Sequence, residues 1–131
     1  MRTPSDNQDF EPEWQGACHC GAVSFRFTAS VSSYVACNCT YCRRKAAAHL
    51  RVSPDRFAIV EGRAALQCYR FGTRQAAHFF CSTCGVHTHC HPRSEPRQVN
   101  VNLRCVDALQ EALEGLPARN HDGLNWGVPP S

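Results

Sequence analysis

Ten cysteines stand in a chain of 131 residues, and all but Cys68, Cys90 and Cys105 fall into three tight clusters. The first is Cys18-His19-Cys20-Gly21, the second Cys37-Asn38-Cys39-Thr40-Tyr41-Cys42, and the third Cys81-Ser82-Thr83-Cys84-Gly85. Thiols at this density signal a staple on which the fold depends. A chain of this length forms one domain that withdraws only about two-thirds of its unfolded surface from water, so a staple adds stability it needs.

Compartment and spacing decide between disulfide and metal. Residues 1–13 contain Pro4, Asp6, Asp9, Glu11 and Pro12 and no apolar run of signal-peptide length, which argues against secretion. No stretch approaches the roughly 20 apolar residues of a membrane span, so no membrane partner is expected. The expected location is the reducing cytoplasm, where clustered cysteines mean metal or catalysis. The net charge of +3 is weak and speaks against a nucleic-acid partner. The basic run Arg43-Arg44-Lys45 reads first as a solvated turn and second as an anion contact beside Cys42.

Two thiolates reach one metal from a tight turn when a glycine follows and lets the backbone curl under the ion. Cys81-x-x-Cys84-Gly85 has that form, and Cys18-x-Cys20-Gly21 is a shorter relative. Pairing them predicts a closed, tetrahedral structural zinc on Cys18, Cys20, Cys81 and Cys84. The second cluster then keeps three ligands, Cys37, Cys39 and Cys42, and a vacant fourth position, the arrangement of a catalytic zinc. Two zinc ions per chain are therefore expected. A second structural site completed by a histidine or lone cysteine, a metal-free redox centre, and a metal shared with a flanking pair all remain open.

The other thiols and the imidazoles carry less. Cys68 and Cys105 read as small core hydrophobes, and Cys90, beside two histidines, has no evident place. His87, His89 and His91 alternate and would share one face of a strand, nearly 7 Å apart at each step, too far to converge on one ion. They read as pocket lining or exposed residues, and His19 as structural. His49, His78 and His121 show no pattern.

Residues 22–29 alternate, with Val23, Phe25 and Phe27 on one side and Ser24, Arg26 and Thr28 on the other, as a half-buried strand requires. Further short strands are predicted at 33–37, 47–52, 57–60, 65–71, 76–80, 86–90 and 99–103, with a hairpin turn at Gly72-Thr73. One short helix is predicted near the end, with Asp107 as N-cap, Leu109 and Leu113 on one face, and Gly115 and Pro117 as the stop. The fold class is a small, mainly antiparallel β fold. Residues 1–14 form a flexible leader, 15–127 the zinc-binding domain and 128–131 a tail.

Three stretches, Gly16-Ala17-Cys18-His19-Cys20-Gly21-Ala22-Val23, Cys37-Asn38-Cys39-Thr40-Tyr41-Cys42-Arg43 and Phe80-Cys81-Ser82-Thr83-Cys84-Gly85-Val86-His87-Thr88, resemble the glutathione-dependent formaldehyde-activating enzyme family, which also includes centromere protein V. Asn100-Val101-Asn102, Cys105-Val106-Asp107, Asp122-Gly123 and Asn125-Trp126 extend the likeness over residues 15–126.

The resemblance implies a β-tent fold with a structural zinc on Cys18, Cys20, Cys81 and Cys84 and an active-site zinc on Cys37, Cys39 and Cys42. It implies a carbon–sulfur lyase, or S-(hydroxymethyl)glutathione synthase, reaction that joins glutathione and formaldehyde. Cys39, central in its cluster, is the expected catalytic residue, a ligand that also engages the thiol substrate. The chain departs from the family pattern at Ala46, where many relatives carry glycine, and at His89 and Cys90, where a bulky aromatic is common. The competing readings are a non-catalytic binding module for protein or nucleic acid, and a thiol redox or zinc-handling protein.

Overall fold

A computed structural model describes residues 11–124. The tail at 128–131 and the Asn125-Trp126 pair lie outside the described residues. The protein is mainly β, in two sheets. Strands β1 (Glu13–Ala17), β2 (Ser24–Thr28) and β5 (Phe57–Glu61) form a three-stranded antiparallel sheet with β2 at its centre. The larger sheet has seven strands. It contains β3 (Tyr34–Cys37), β4 (His49–Val52), β6 (Leu66–Tyr69), β7 (Ala77–Cys81), β8 (His87–His91), β9 (Val99–Asn102) and β10 (Ala118–His121). Their order is β10-β3-β4-β9-β8-β7-β6. Every pair is antiparallel except β10 with β3, which run parallel.

The alternation in β2 sets the core. Phe25 and Phe27 are buried and Arg26 between them is exposed. They join Val99, Val101, Leu103, Val106, Leu109 and Leu113 in one apolar cluster, where each large side chain withdrawn from water contributes about 2 kcal/mol. Trp14 packs against the same cluster and donates its indole N–H to the Ala29 carbonyl at 3.0 Å. Glu13 and Trp14, the last residues that the sequence assigns to the leader, are thus the first two of β1.

Among the described residues, two α-helices stand between the strands, beside several single 3-10 turns. The expected one is a 3-10 turn at Asp107–Leu109 running into α2 (Gln110–Leu113), with Leu109 and Leu113 buried. Asp107 lies inside the turn and does not cap it; no side-chain cap is made. The other, α1 (Thr40–Lys45), has no counterpart among the elements expected from the sequence. It starts because Cys39, in extended conformation, accepts the Cys42 backbone N–H on its sulfur at 3.2 Å, the role a serine or aspartate usually fills.

Candidate metal centres and the cavity between them

Cys18 and Cys20 leave the end of β1, and Cys81 and Cys84 leave the end of β7. Their sulfurs lie within 4.8 Å of one another. The separations Cys18–Cys20 and Cys20–Cys81 are both 3.7 Å, against the ~3.8 Å that a tetrahedral ion with 2.3 Å zinc–sulfur bonds imposes. Gly21 and Gly85 carry φ of 82° and 77°, and a Cβ at either would meet only open space. They serve the left-handed turn and not a close approach. Backbone N–H groups of Val23 and Thr83 point at the sulfurs of Cys18 and Cys81 at 3.3 Å. The Cys84 thiol is drawn down to about 6, first by the backbone N–H of Cys20 and then by that of Val86. Amides aimed at sulfur favour the thiolate, so this donor set suits a closed zinc. It rests on a small cluster of Val23, Leu66, Ala65 and Val86.

The second cluster joins the end of β3 to α1. Cys37, Cys39 and Cys42 also place their sulfurs within 4.8 Å of one another. Hydrogen bonding from Cys37 and then Cys42 holds the Cys39 thiol far below its usual range. The proton belongs to the set and not to one residue. The C-terminal segment closes over the cluster. Asn38 Nδ2 donates to Asp122 at 3.1 Å, and the Leu124 N–H donates to Asn38 Oδ1 at 2.9 Å. That clasp lays Gly123 directly on Cys37 Sγ, where a Cβ would overlap the sulfur.

These three thiols line a cavity of about 570 Å³. Its walls include Arg51 on β4, Phe71 and His78 on either side of the β6–β7 turn, Arg93, and Arg119 and His121 on β10. Arg51 is held by Asn100 Oδ1 at 3.2 Å and Ser94 Oγ at 2.9 Å. Tyr41, from α1, packs with tilted rings at 5.2–5.5 Å against Tyr69 and Phe71, fixing the hairpin wall against the helix.

Several sequence expectations change here. The Arg43-Arg44-Lys45 run lies on a helix and not in a turn. It forms the end of α1, with Arg43 and Arg44 exposed while Lys45 turns inward. Lys45 Nζ lies 3.1 Å from His78 Nδ1, 3.2 Å from His87 Nε2 and 4.3 Å above the Tyr41 ring. Burial lowers the Lys45 pKa. Burial also depresses His49 and His78 to about 4, so both are neutral.

The three alternating histidines do not share a face. Phe79 pairs with His89 and Phe80 with His87, leaving Thr88 as the extra residue of a bulge. The bulge turns His87 toward His49 and His78. His89 stays on the opposite face, stacked 4.7 Å from Phe79, with His91 at 6.2 Å. His87 and His89 are buried rather than exposed. Cys105 packs in the core as expected, but Cys68 is exposed; it sits on β6, the edge strand, whose alternation has no second layer to bury it. All ten cysteines are free of disulfides. No helix among the described residues is long and apolar enough to cross a membrane.

Ala46, the departure from the family glycine, ends α1 at φ 52° and ψ 40°, in the left-handed region. The residues that sequence reasoning does not single out for the site are His49, Arg51, Arg119 and Gly123. Only Asp122-Gly123 leaves a trace, as a motif without a role.

Comparison with known proteins agrees with this picture. The family model described as glutathione-dependent formaldehyde-activating enzyme matches residues 13–118. A crystal structure of a Rhodobacter sphaeroides protein, a Northeast Structural Genomics target, is similar at 34% identity and a TM-score of 0.72. The match covers 80% of this chain and 99% of that one.

Proposed function

Since the chain belongs to the glutathione-dependent formaldehyde-activating enzyme family, we propose that it is a zinc-dependent carbon–sulfur lyase acting on a thiol adduct such as S-(hydroxymethyl)glutathione. The observation that carries this reading is that Cys37, Cys39 and Cys42 converge in the wall of a ligand-sized cavity. Cys18, Cys20, Cys81 and Cys84 would hold a structural zinc and the triad a second ion with one position facing the cavity. A zinc bound by the triad supplies Lewis acidity and keeps nearby thiols deprotonated. The β-tent assignment and a reducing, cytoplasmic setting accord with two packed sheets and ten free thiols.

The residues around the triad suit a small anionic thiol. Arg51, Arg93 and Arg119 line the cavity, and guanidinium groups pair with carboxylates in the fork geometry that a tripeptide with two carboxylates offers. Phe71 adds an apolar wall and His78 an imidazole. In the synthetic direction the substrate thiolate sulfur attacks the formaldehyde carbon, a C–S bond forms, and the carbonyl oxygen takes up the proton the thiol gave. Cys39, central in the triad and lining the cavity, would be the metal ligand that also engages the thiol substrate. The lyase direction reverses each step.

The test is exchange spectroscopy with carbon-13 formaldehyde and glutathione. Wild-type protein is expected to speed the interconversion of free aldehyde and adduct, and Cys39→Ser to leave it at the uncatalysed rate. No acceleration with wild type, for glutathione or for simpler thiols, would remove the enzyme reading and favour a non-catalytic binding module.

A further inference from the structure

A third cluster lies beside the cavity, apart from the two cysteine sites. His49 on β4 is 2% exposed, and neither of its ring nitrogens has a hydrogen-bond partner. Every imidazole carries at least one N–H and, when neutral, one lone pair, and leaving both buried and unmet costs about 1–3 kcal/mol each. Such a residue is kept because something meets it. Its neighbours include His87, with ring centroids 6.2 Å apart and planes nearly perpendicular, and Cys90, with the Lys45 ammonium also close enough to act on it. One nitrogen of each histidine and the Cys90 sulfur lie within 4.8 Å of one another, and all three residues are buried.

We propose that His49, His87 and Cys90 form a third metal site, for a borderline-soft divalent ion such as zinc, with its remaining position directed at the cavity. Two imidazoles and a thiolate are a donor set that such ions prefer. Bonds of 2.0–2.3 Å call for donor separations of about 3.3–3.8 Å, and the three donors lie within 4.8 Å of one another. The open direction follows from His49 and Cys90, both of which line the cavity.

The scaffold for this site is built by backbone irregularity. The Thr88 bulge places His87 on the same side of β8 as Cys90, which regular alternation would forbid. Asn102 on the intervening β9 then ties the two supporting strands together. Its Nδ2 donates to the His87 carbonyl at 2.9 Å, and its Oδ1 accepts the Ala48 N–H, next to His49, at 3.3 Å. Lys45 Nζ, 3.2 Å from His87 Nε2, is a cation that this imidazole already accepts, and an ion ligated by His87 takes over that contact. Binding releases the Cys90 thiol proton to solvent.

The experiment compares metal per chain in the full-length protein after equilibration with saturating zinc and dialysis. Parallel cobalt titrations are followed by sulfur-to-cobalt charge-transfer absorption. Wild type is expected to hold one equivalent more than Cys90→Ala and one more than His49→Gln. Far-UV circular dichroism checks the fold of each, and either variant alone suffices if the other does not fold. The triple variant Cys37→Ser, Cys39→Ser, Cys42→Ser is expected to keep the equivalent that Cys90→Ala loses. That comparison separates this site from the triad, since the difference survives even if the triad holds nothing. Equal metal content in wild type and Cys90→Ala, with both folded, would overturn the proposal.

Discussion

The sulfur of Cys39 accepts the backbone N–H of Cys42 at 3.2 Å, so one sulfur both caps α1 and belongs to the triad whose third member that helix carries. The two roles separate on substitution. Serine is a good N-cap but a poor zinc ligand. Cys39→Ser is therefore expected to hold one zinc fewer than wild type and to lose adduct exchange while staying folded. Cys39→Ala, which also loses the cap, should be less stable than Cys39→Ser by about 1 kcal/mol. Cys81→Ser, buried in the four-cysteine site, should instead melt the fold, because metal binding there is folding energy. Metal analysis with thermal denaturation of the three variants decides. Equal damage from Cys39→Ser and Cys81→Ser would remove the distinction between an open and a structural site.

Ala46 holds φ 52° at the end of α1; its N–H donates to the Cys42 carbonyl at 2.9 Å, and the Ala46 carbonyl accepts from Arg104 Nε at 2.8 Å. A left-handed alanine costs roughly 1–2 kcal/mol that a glycine does not. Ala46→Gly is thus expected to raise stability by about 1 kcal/mol, part of the gain being offset by the freer unfolded chain. Urea denaturation at constant m-value measures it. A loss of stability would mean that the methyl group makes a packing contact worth more than the strain.

What the residues disclose in advance is what is local. A thiol pair and its following glycine act within one turn, so the three clusters can be read from spacing, whereas how they share metal is left open by it. The inward set of β2 can be read from Phe25, Arg26 and Phe27 for the same reason. What escapes depends on partners distant in sequence. The bulge at Thr88 exists only relative to β7, and it alone sends His87 away from His89. Cys68 is exposed because β6 is an edge, and His49 matters because of what β8 brings opposite it. Helix α1 is hidden by a cap made from sulfur, and β10 by exposed residues that show no alternation.

Gly123 is the point where the C-terminal segment meets the triad. Any side chain there overlaps Cys37 Sγ and stands 3.1 Å from Cys39 Cβ. Those atoms are anchored by β3 and by the cap of α1, so the segment must lift instead, breaking the Asn38–Asp122 and Leu124–Asn38 bonds. Gly123→Ala should weaken metal retention at the triad at least tenfold, an effect of the size seen when the shell around a metal is disturbed. The four-cysteine site, on the far ends of β1 and β7, should remain loaded. A competition titration with a chromophoric chelator resolves the two classes. Uniform loss from both, or none from either, would contradict the clasp.

His89 gives the fold a built-in sensitivity to acid. It is buried against Phe79 and Phe57, its Nδ1 is 2.8 Å from Thr88 Oγ1, and burial lowers its pKa from 6.5 to about 3, with His91 and Arg63 adding to the effect. Below pH 6.5 the unfolded chain takes up a proton at this position that the folded chain refuses. Stability contributed by the neutral ring is therefore fully present above about pH 6.5 and falls as the pH drops toward 3. His89→Phe keeps the stacked ring and removes the titration. Cysteine ligands also protonate in acid, but they do so in both proteins, so the difference between them isolates His89. Denaturant midpoints from pH 7.5 to 5 should decline more steeply for wild type than for His89→Phe. Parallel declines would mean that His89 is already reached by solvent in the folded state and that the acid sensitivity comes from the metal sites alone.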